Sequence, residues 1–418
     1  MRSISVALRA DGVSMPRAVA IGPARVHDDR CPLPASRLDY AIIESRTGFD
    51  ALAAEWDALF QRAGRGTQLF QSHGWCWHWC NHYLRSANGR TSLAIVTGRQ
   101  KGRLALVWPM VATRRLGVVQ LTSMGDPVSQ YSDALVEPST HVLHQLEEAW
   151  QHLLDAVKPD LVWLAHVRAD AAIAPIMPRL GCLVAQREKA PFVDLASASD
   201  IEALLRRQSV QLRKKHRAAV RRLAKAGPVT FADLADGGTE AGELAAAAID
   251  MKRGQLSERG ILSPTFTDAR LRRFFTDAAH GRGHQTGARV LALDSNGERA
   301  AADILVACKD CIATHVIAYD PRFAKDSVGW QLLYHAIGKA YAEGYRTFDL
   351  MAPADDYKLR WADGCVDVID WVLPVTRKGA IFARLYPMLA RPLLKRIARS
   401  MPQELRRRIA RRCYSRAG

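Results

Sequence analysis

Hydrophobic positions between residues 40 and 375 change repeatedly from a strand-like period of two to a helix-like period of three to four. In residues 40–195 the patterns predict the element order β-α-α-β-β-β-α-β-α-β. In residues 229–375 they predict the same order, with an Asn-Gly hairpin signal at residues 296–297. The halves share no evident sequence repeat. We therefore expect a duplicated α/β (α+β) architecture, each half a mixed, mostly antiparallel sheet flanked by helices.

Breaks in this pattern divide the chain into four segments. Residues 1–36 contain four prolines and scattered charges that interrupt every apolar run, so we expect a disordered arm and not a signal peptide. Residues 37–196 and 197–376 are the two predicted domains, the second opening with a basic helix that ends at Gly227-Pro228. Residues 377–418 predict basic amphipathic helices divided by prolines. No apolar run reaches the roughly 18 residues of a membrane span, so we expect a cytoplasmic protein.

The net charge of +17 is concentrated in two segments. Residues 206–225 hold nine Lys and Arg and no acid, while residues 377–416 hold thirteen against Glu404 alone, so the rest of the chain is mildly acidic. The first segment has few aromatic residues, which favours a solvated helix, or one lining an anionic cleft, over a nucleic-acid site. The tail pattern allows two interpretations: peripheral association with the inner face of an anionic membrane, or packing on the protein body.

Cysteine and histidine spacings do not predict a metal site. The eight cysteines are expected to be reduced thiols. The Cys-x-x-Cys at residues 308–311 flanks a predicted two-residue turn, with a redox or metal role as the alternative. Between residues 76 and 82, two cysteines and two histidines have helical spacing, but the pairs point to different faces, which favours a packed aromatic helix.

Titratable and aromatic residues cluster in residues 345–364. A short strand there ends at Asp349, Pro353 interrupts it, and one helical turn follows that carries Tyr357, Lys358 and Trp361. Active sites tend to lie at such strand ends, although a solvated acid and a packed Trp would give the same pattern.

This run, preceded by the helix-like segment 328–337, resembles the closing part of the GNAT-type acyltransferases grouped with cellulose-biosynthesis acetyltransferases. The tandem halves also resemble Fem-type aminoacyltransferases. The resemblance implies that an acyl-CoA donor lies between the fourth and fifth strands of the second half, with its pyrophosphate at the start of the following helix. An acyl carrier protein or an aminoacyl donor is the alternative. The implied donor-binding residues are Tyr319, Arg322, Lys325, Ser327, Gly329 and Trp330.

Within this implied donor site, Arg322 and Lys325 would supply charge, Ser327 would cap the helix, and Gly329 would permit close backbone approach. Backbone N–H groups near residues 318–319 would face the thioester carbonyl.

The resemblance also implies catalytic residues. Asp349 is the candidate base, with Asp320 in reserve, and Tyr357 and Lys358 would orient the acceptor or protonate the leaving thiolate. His315 is either a further base or a core histidine. The residues expected to bind the acceptor are Gln71, Asp126, Tyr131, Asp133 and Trp361.

The resemblance thus implies an acyltransferase that moves an acetyl or other acyl group from acyl-CoA to a sugar hydroxyl or amine. The resemblance implies a role in exopolysaccharide, cellulose or cell-envelope biosynthesis. One alternative is a Fem-type transferase that uses aminoacyl-tRNA. Another is an inactive GNAT scaffold that binds an envelope-synthesis partner, although such a scaffold would not need Asp349, Tyr357, Lys358 and Trp361 together.

Overall fold

The computed structural model describes residues 38–84, 89–384, 396 and 400–417. The arm predicted at residues 1–36 and most of the tail between 385 and 399 lie outside the described residues. From Leu38 onward the chain forms one compact unit.

The first half contains nine strands and four α-helices in its described part. The strands are β1 (Asp39–Ile43), β2 (Thr91–Leu93), β3 (Ile95–Gln100), β4 (Arg103–Trp108), β5 (Met110–Arg115), β6 (Val118–Ser123), β7 (Leu135–Val136), β8 (Leu161–Arg168) and β9 (Leu183–Asp194). The helices are α1 (Arg46–Ala51), α2 (Ala53–Ala63), α3 (His73–Trp79) and α4 (Val142–Val157). Short 3-10 helices at Gly66–Gln71 and Ala174–Ile176 and a π-helix at Cys80–Leu84 complete this half.

The second half contains the remaining described elements. Its strands are β10 (Val229–Leu234), β11 (Ala288–Ser295), β12 (Glu298–Cys308), β13 (Cys311–Tyr319), β14 (Thr347–Asp349) and β15 (Gly364–Pro374). Its helices are α5 (Ile201–Arg206), α6 (Val210–Ala226), α7 (Thr239–Arg259), α8 (Ala269–His280), α9 (Val328–Ala342), α10 (Asp356–Leu359), α11 (Arg377–Ala383) and α12 (Gln403–Ser415), with a 3-10 helix at Pro321–Asp326.

The strands form two sheets, and the larger one continues through both halves. Four strands pair in the order β1-β3-β4-β7, and eleven in the order β10-β11-β12-β13-β14-β9-β15-β8-β6-β5-β2. β9, the last strand before the predicted domain boundary, pairs with both β14 and β15, and β15 also pairs with β8. The predicted α/β class with mixed sheets flanked by helices is confirmed, and the halves are joined by interleaved strands.

Three long predicted elements are divided in the structure. Apolar runs at residues 92–97 and 104–113 each predict one strand, but each becomes two strands because the chain passes from one sheet to the other near Ala94 and Pro109. The predicted basic helix 200–225 becomes α5 and α6, since the Ser209 hydroxyl accepts from Leu212 N–H and begins a new helix there. The local periodicity of the sequence does not show where a strand changes its pairing partner or where one helix ends and the next begins.

The aromatic helix predicted at residues 71–84 packs in the core, as expected. The rings of Trp75 on α3 and Phe274 on α8 lie 5.1 Å apart at 70°, an edge-to-face contact. Cys76 on α3 and Cys80 at the start of the π-helix are both buried, and burial raises the pKa of Cys80 to about 12. The predicted turn at Lys309-Asp310 is also present, with Cys308 and Cys311 paired across β12 and β13.

The described end of the tail packs on the protein body. The Tyr414 hydroxyl on α12 accepts from Ser263 N–H at 3.0 Å and donates to the Ile261 carbonyl at 2.9 Å. Arg407 Nε donates to the Glu258 carbonyl at 2.6 Å. Of the two interpretations of the tail, these contacts support packing for residues 403–415. None of the helices in the described ranges is long and apolar enough to cross a membrane.

Candidate active site

A pocket opens where the parallel strands β13 and β14 separate. The strands pair over three residues only, from Cys311 opposite Thr347 to Ala313 opposite Asp349. β13 then continues to Tyr319 without β14, and its free edge borders a cavity of about 330 Å³. Helix α7, the start of α9 and the α10 turn form the other walls. The sequence had placed the donor between these strands.

Helix α7 contributes a polar stripe to this pocket. Lys252, Gln255 and Arg259 are spaced i, i+3 and i+7, so they share one face. Lys252 Nζ donates to the Ile317 carbonyl at 2.9 Å, and Gln255 Nε2 donates to the Tyr319 carbonyl at 2.7 Å. Arg259 Nη2 donates to the Tyr319 hydroxyl at 3.0 Å. Burial and then the charge of Arg259 lower the pKa of Lys252. Two cations therefore line the free edge of β13.

Helical spacing in residues 240–253 predicts a helix that ends six residues before the observed end of α7, so the prediction missed Gln255 and Arg259 of this stripe. In the sequence, the signal for the longer helix is the helical spacing of Lys252, Gln255 and Arg259, followed directly by Gly260. The helix ends there because Gly260 adopts a left-handed φ of 64° and its N–H bonds the last carbonyls.

The N-terminus of α9 also faces the pocket. A Cβ on Gly329 would lie 3.3 Å from the Tyr319 ring, so glycine allows the helix to approach β13 closely. The first intrahelical bond runs from Trp330 N–H to the Ser327 carbonyl, and the N–H groups of Val328 and Gly329 precede it. The predicted Ser327 side-chain cap is wrong. Ser327 is the N-cap but has a left-handed φ of 53° instead of the usual extended backbone, and its side chain makes no capping bond.

The two cations predicted to meet the donor phosphates lie elsewhere. The exposed Arg322 guanidinium pairs with Asp320 at 2.8 Å and with Glu298 at 2.9 Å. The Lys325 carbonyl accepts from Arg222 at 2.5 Å, and neither Arg322 nor Lys325 is among the described residues that line the pocket. The Arg322 hydrogen bonds lower the pKa of Asp320. The reserve base is therefore a partner of Arg322 and a cap of the 3-10 helix.

Stacked aromatic rings form the outer wall. The Trp330 ring lies 3.8 Å from the His216 imidazole at 5°, and 5.5 Å from the rings of Tyr334 and Trp361. Trp361 is buried in this stack, so it shapes the wall more than it offers an acceptor surface. Tyr357 lines the pocket with 41% of its surface exposed.

Asp349 is enclosed by residues of the first half. It is 2% exposed and accepts from the Tyr131 hydroxyl at 2.9 and 3.0 Å and from Arg168 Nη1 at 2.9 Å. Met351 N–H donates a further bond at 2.7 Å. Burial raises the pKa of Asp349, and the Arg168 charge opposes that shift. A carboxylate with these partners is poorly placed to take a proton from an acceptor, so its predicted role as base has no support in this geometry.

The same carboxylate holds the turn that carries Lys358. Met351 has a left-handed φ of 58°, and its carbonyl accepts from Lys358 Nζ at 2.9 Å. Lys358 is 7% exposed, and burial lowers its pKa to about 8. Asp349, Met351 and Lys358 thus form one connected network behind the pocket. Asp349 is a positioning residue in this arrangement.

A buried carboxylate that the sequence did not indicate lies beside Lys252 and Lys358. Asp303 on β12 is fully buried, and both its oxygens accept from the Thr314 hydroxyl at 2.8–2.9 Å. Burial raises its pKa to about 7, while Thr314 and the two lysines oppose the shift. In the sequence, the signal for Asp303 is a single acidic residue at a core-facing position of an apolar strand.

Replacing Asp303 by Asn is expected to flatten the pH dependence of stability. With its pKa raised above the unfolded value, Asp303 in the folded state still binds a proton at pH 5 that the unfolded chain has released, so stability falls as the pH rises towards 7. For one group this loss is on the order of 2 kcal/mol between pH 5 and 7. Urea unfolding of both proteins at pH 5, 6 and 7 measures it. Equal slopes would contradict the prediction.

Most residues predicted to bind the acceptor are closed off from a ligand. Gln71, Tyr131 and Asp133 are buried. Gln71 Nε2 donates to the Tyr131 carbonyl at 2.9 Å, and the Tyr131 hydroxyl bonds Asp349. Asp126 is exposed in the loop that follows β6. Among these four residues, only Asp126 could touch an acceptor in this conformation, and that role stays a prediction.

His315 takes the place of a core histidine. Its Nε2 lies 2.8 Å from the Val128 carbonyl, and its ring contacts Phe70, Trp75 and Phe275. Burial lowers its pKa to about 4, so it is neutral at pH 7. The alternative role as a base is not supported.

Comparison with known families and structures gives a match over the site. Residues 211–359 match the family described as an acetyltransferase (GNAT) domain, a range that extends from α6 to the end of α10. Comparison with curated proteins gives no significant match. The second half of the chain is therefore similar to a GNAT domain, as its closing motif predicted. The cellulose-biosynthesis group remains a prediction.

Solved structures share the fold over about four fifths of this chain. The crystal structure of FemX aligns with a TM-score of 0.57 at 11% identity, over 80% of this chain and 98% of that chain. A conserved protein of unknown function from Bacteroides thetaiotaomicron aligns with a TM-score of 0.50 at 12% identity, over 79% and 99%. At these identities the likeness concerns the fold alone, and it extends across both halves.

Proposed function

We propose that this protein is an acyltransferase whose acyl-CoA donor enters the pocket between β13 and the N-terminus of α9. The observation that carries the proposal is the free edge of β13 at a GNAT-like domain, bordered by helix N–H groups and by Lys252 and Arg259. The Ile317 and Tyr319 carbonyls accept from Lys252 and Gln255, so the N–H groups of this strand edge would bond the amide carbonyls of a pantetheine arm. Helix N–H groups and cations favour the phosphates that follow it.

The pocket residues also suit the chemistry of acyl transfer. Attack of an acceptor nitrogen or oxygen on the thioester carbonyl forms a tetrahedral oxyanion, which the Lys252 ammonium beside the strand edge would stabilise. Collapse of this intermediate breaks the carbon–sulfur bond. The Tyr357 hydroxyl would protonate the leaving sulfur, and the proton lost by the acceptor replaces it. Lys358 and Asp349 would hold the turn that presents Tyr357.

The acceptor class rests on the resemblance. We propose a sugar hydroxyl or amine used in exopolysaccharide or cell-envelope assembly, with inner-membrane association of the tail as a further hypothesis. An aminoacyl-tRNA donor is the second candidate, and the basic helix α6 beside the pocket favours it. An inactive scaffold is less consistent with the buried Lys358 and the half-buried Lys252, whose desolvation costs free energy that packing alone does not require.

Replacing Arg259 by Gln is expected to weaken CoA binding about tenfold, because it removes a cation from the pocket. Isothermal titration with CoA and acetyl-CoA measures the dissociation constant. The matched control is Arg322→Gln, which removes an exposed cation outside the pocket. A protein that binds no CoA species would overturn the acyl-CoA proposal, and a loss of affinity in Arg322→Gln alone would restore the donor site predicted from the sequence.

A further inference from the structure

A second cavity adjoins the donor pocket. It has a volume of about 570 Å³ and lies between residues 207–215 and residues 359–362. It shares Leu212, Arg360 and Trp361 with the donor pocket, so these three residues border both cavities. We call it the α6 groove. The proposed reaction does not use it, and a donor longer than the pocket could extend into it.

The α6 groove carries positive charge that the protein leaves largely unpaired. Lys215 and Arg360 line it, and within the described ranges neither has a salt-bridge partner. Arg207, also in the wall, pairs with Asp363. Unpaired cations in a concave site favour an anionic ligand, and Arg and Lys are the usual partners of phosphate.

A buried amide in the same groove also lacks a partner. Gln208 is 5% exposed and lines the groove, and both its side-chain nitrogen and its oxygen are without a hydrogen-bond partner among the described residues. Burying an amide without a hydrogen-bond partner is unfavourable, so its retention calls for an explanation. One donor and one acceptor on a Gln side chain match the N6 and N7 edge of adenine.

We infer that the α6 groove binds the phosphorylated adenosine of the donor, with Gln208 at the base edge and Lys215 and Arg360 at the phosphates. The inference rests on the proposed function, since it assumes that the donor's acyl end occupies the pocket. The chemistry is shared by the nucleotide end of CoA and the 3′-terminal adenosine of a tRNA. Lys215 and Arg360 alone would bind any anionic ligand, and hydrogen bonds to the Gln208 amide would add a preference for adenine.

Titration with adenosine 3′,5′-bisphosphate, CoA and 3′-dephospho-CoA tests the groove directly. Lys215→Gln is expected to weaken the bisphosphate and CoA about tenfold, which is the loss of one charge-assisted contact. The neighbouring Lys214→Gln, an equal charge change on the same helix outside the groove, is expected to leave both affinities unchanged. The preference of the wild type for CoA over dephospho-CoA is expected to diminish in Lys215→Gln.

The Gln208→Leu variant tests recognition of the adenine base separately from the electrostatic attraction of the phosphates. It is expected to weaken adenosine 3′,5′-bisphosphate several-fold and inorganic phosphate not at all. Because the change removes an unsatisfied amide, the variant is expected to be at least as stable as the wild type, which thermal unfolding verifies. Equal weakening of both ligands would overturn the assignment of Gln208 to the base.

The outcomes distinguish the groove from the proposed function. If the CoA affinity is the same in wild type, Lys215→Gln and Lys214→Gln, the assignment of the nucleotide to the α6 groove is overturned, while the proposal that the donor occupies the pocket is unaffected. Binding of charged tRNA but of no CoA species, weakened by Lys215→Gln, supports the groove and overturns the acyl-CoA donor. A wild type that binds neither nucleotide overturns both.

Discussion

Replacing Arg168 by Met is expected to lower the free energy of unfolding by about 3–5 kcal/mol. Arg168 is the cation paired with Asp349, and both side chains are almost fully buried. The variant leaves a carboxylate in the core with the Tyr131 hydroxyl and Met351 N–H as its remaining hydrogen bonds. Urea unfolding at pH 7 measures the loss. Removing one member of a buried pair costs far more than the pair itself contributes.

Two further variants identify the cause. Arg179→Met breaks an exposed pair with Glu147 and is expected to cost less than about 1 kcal/mol. In the double variant Arg168→Met/Asp349→Asn the unpaired charge is absent, so its stability should exceed that of Arg168→Met. If the double variant were less stable than Arg168→Met by the full cost of a second buried deletion, packing and not charge would explain the effect.

Replacing Tyr357 by Phe is expected to lower kcat by about 10²–10⁴, the usual range for loss of a general acid, with little change in KM. Tyr357 lines the pocket beside the free edge of β13, and its hydroxyl is the described pocket group best suited to protonate a leaving thiolate. Release of CoA from acetyl-CoA in the presence of the acceptor measures turnover. A sugar or amine acceptor has to be found first, from a panel screened with the wild type.

The control for this variant is Tyr345→Phe, which removes a hydroxyl just before β14 and outside the pocket. This variant is expected to leave kcat unchanged. A donor with a better leaving group, such as an acyl nitrothiophenol thioester, needs less protonation of its sulfur. Tyr357→Phe should therefore lose less activity with it. An equal loss with both donors would indicate that Tyr357 positions the acyl group and does not protonate sulfur.

The sequence by itself determined the order of the elements in the second half, including the strand pair β13 and β14 between which the candidate pocket lies. Periodicity and turn signals are local, so β11 to β13, α9 and the strand ending at Asp349 follow from the residues that form them. The Tyr357–Trp361 turn was predicted for the same reason. These features depend on neighbours in the chain, and the matching GNAT range, residues 211–359, contains all of them except the last two residues of that turn.

The tertiary structure decided which charges meet. Asp349 is enclosed by Tyr131 and Arg168, which precede it by 218 and 181 residues, and no local pattern can indicate such partners. Arg322 lies in the predicted loop, but it forms salt bridges with Glu298 and Asp320. Lys252 and Arg259, at the free edge of β13, come from α7 on another part of the fold. Burial and long-range electrostatics depend on packing, and packing is settled only when all elements are assembled.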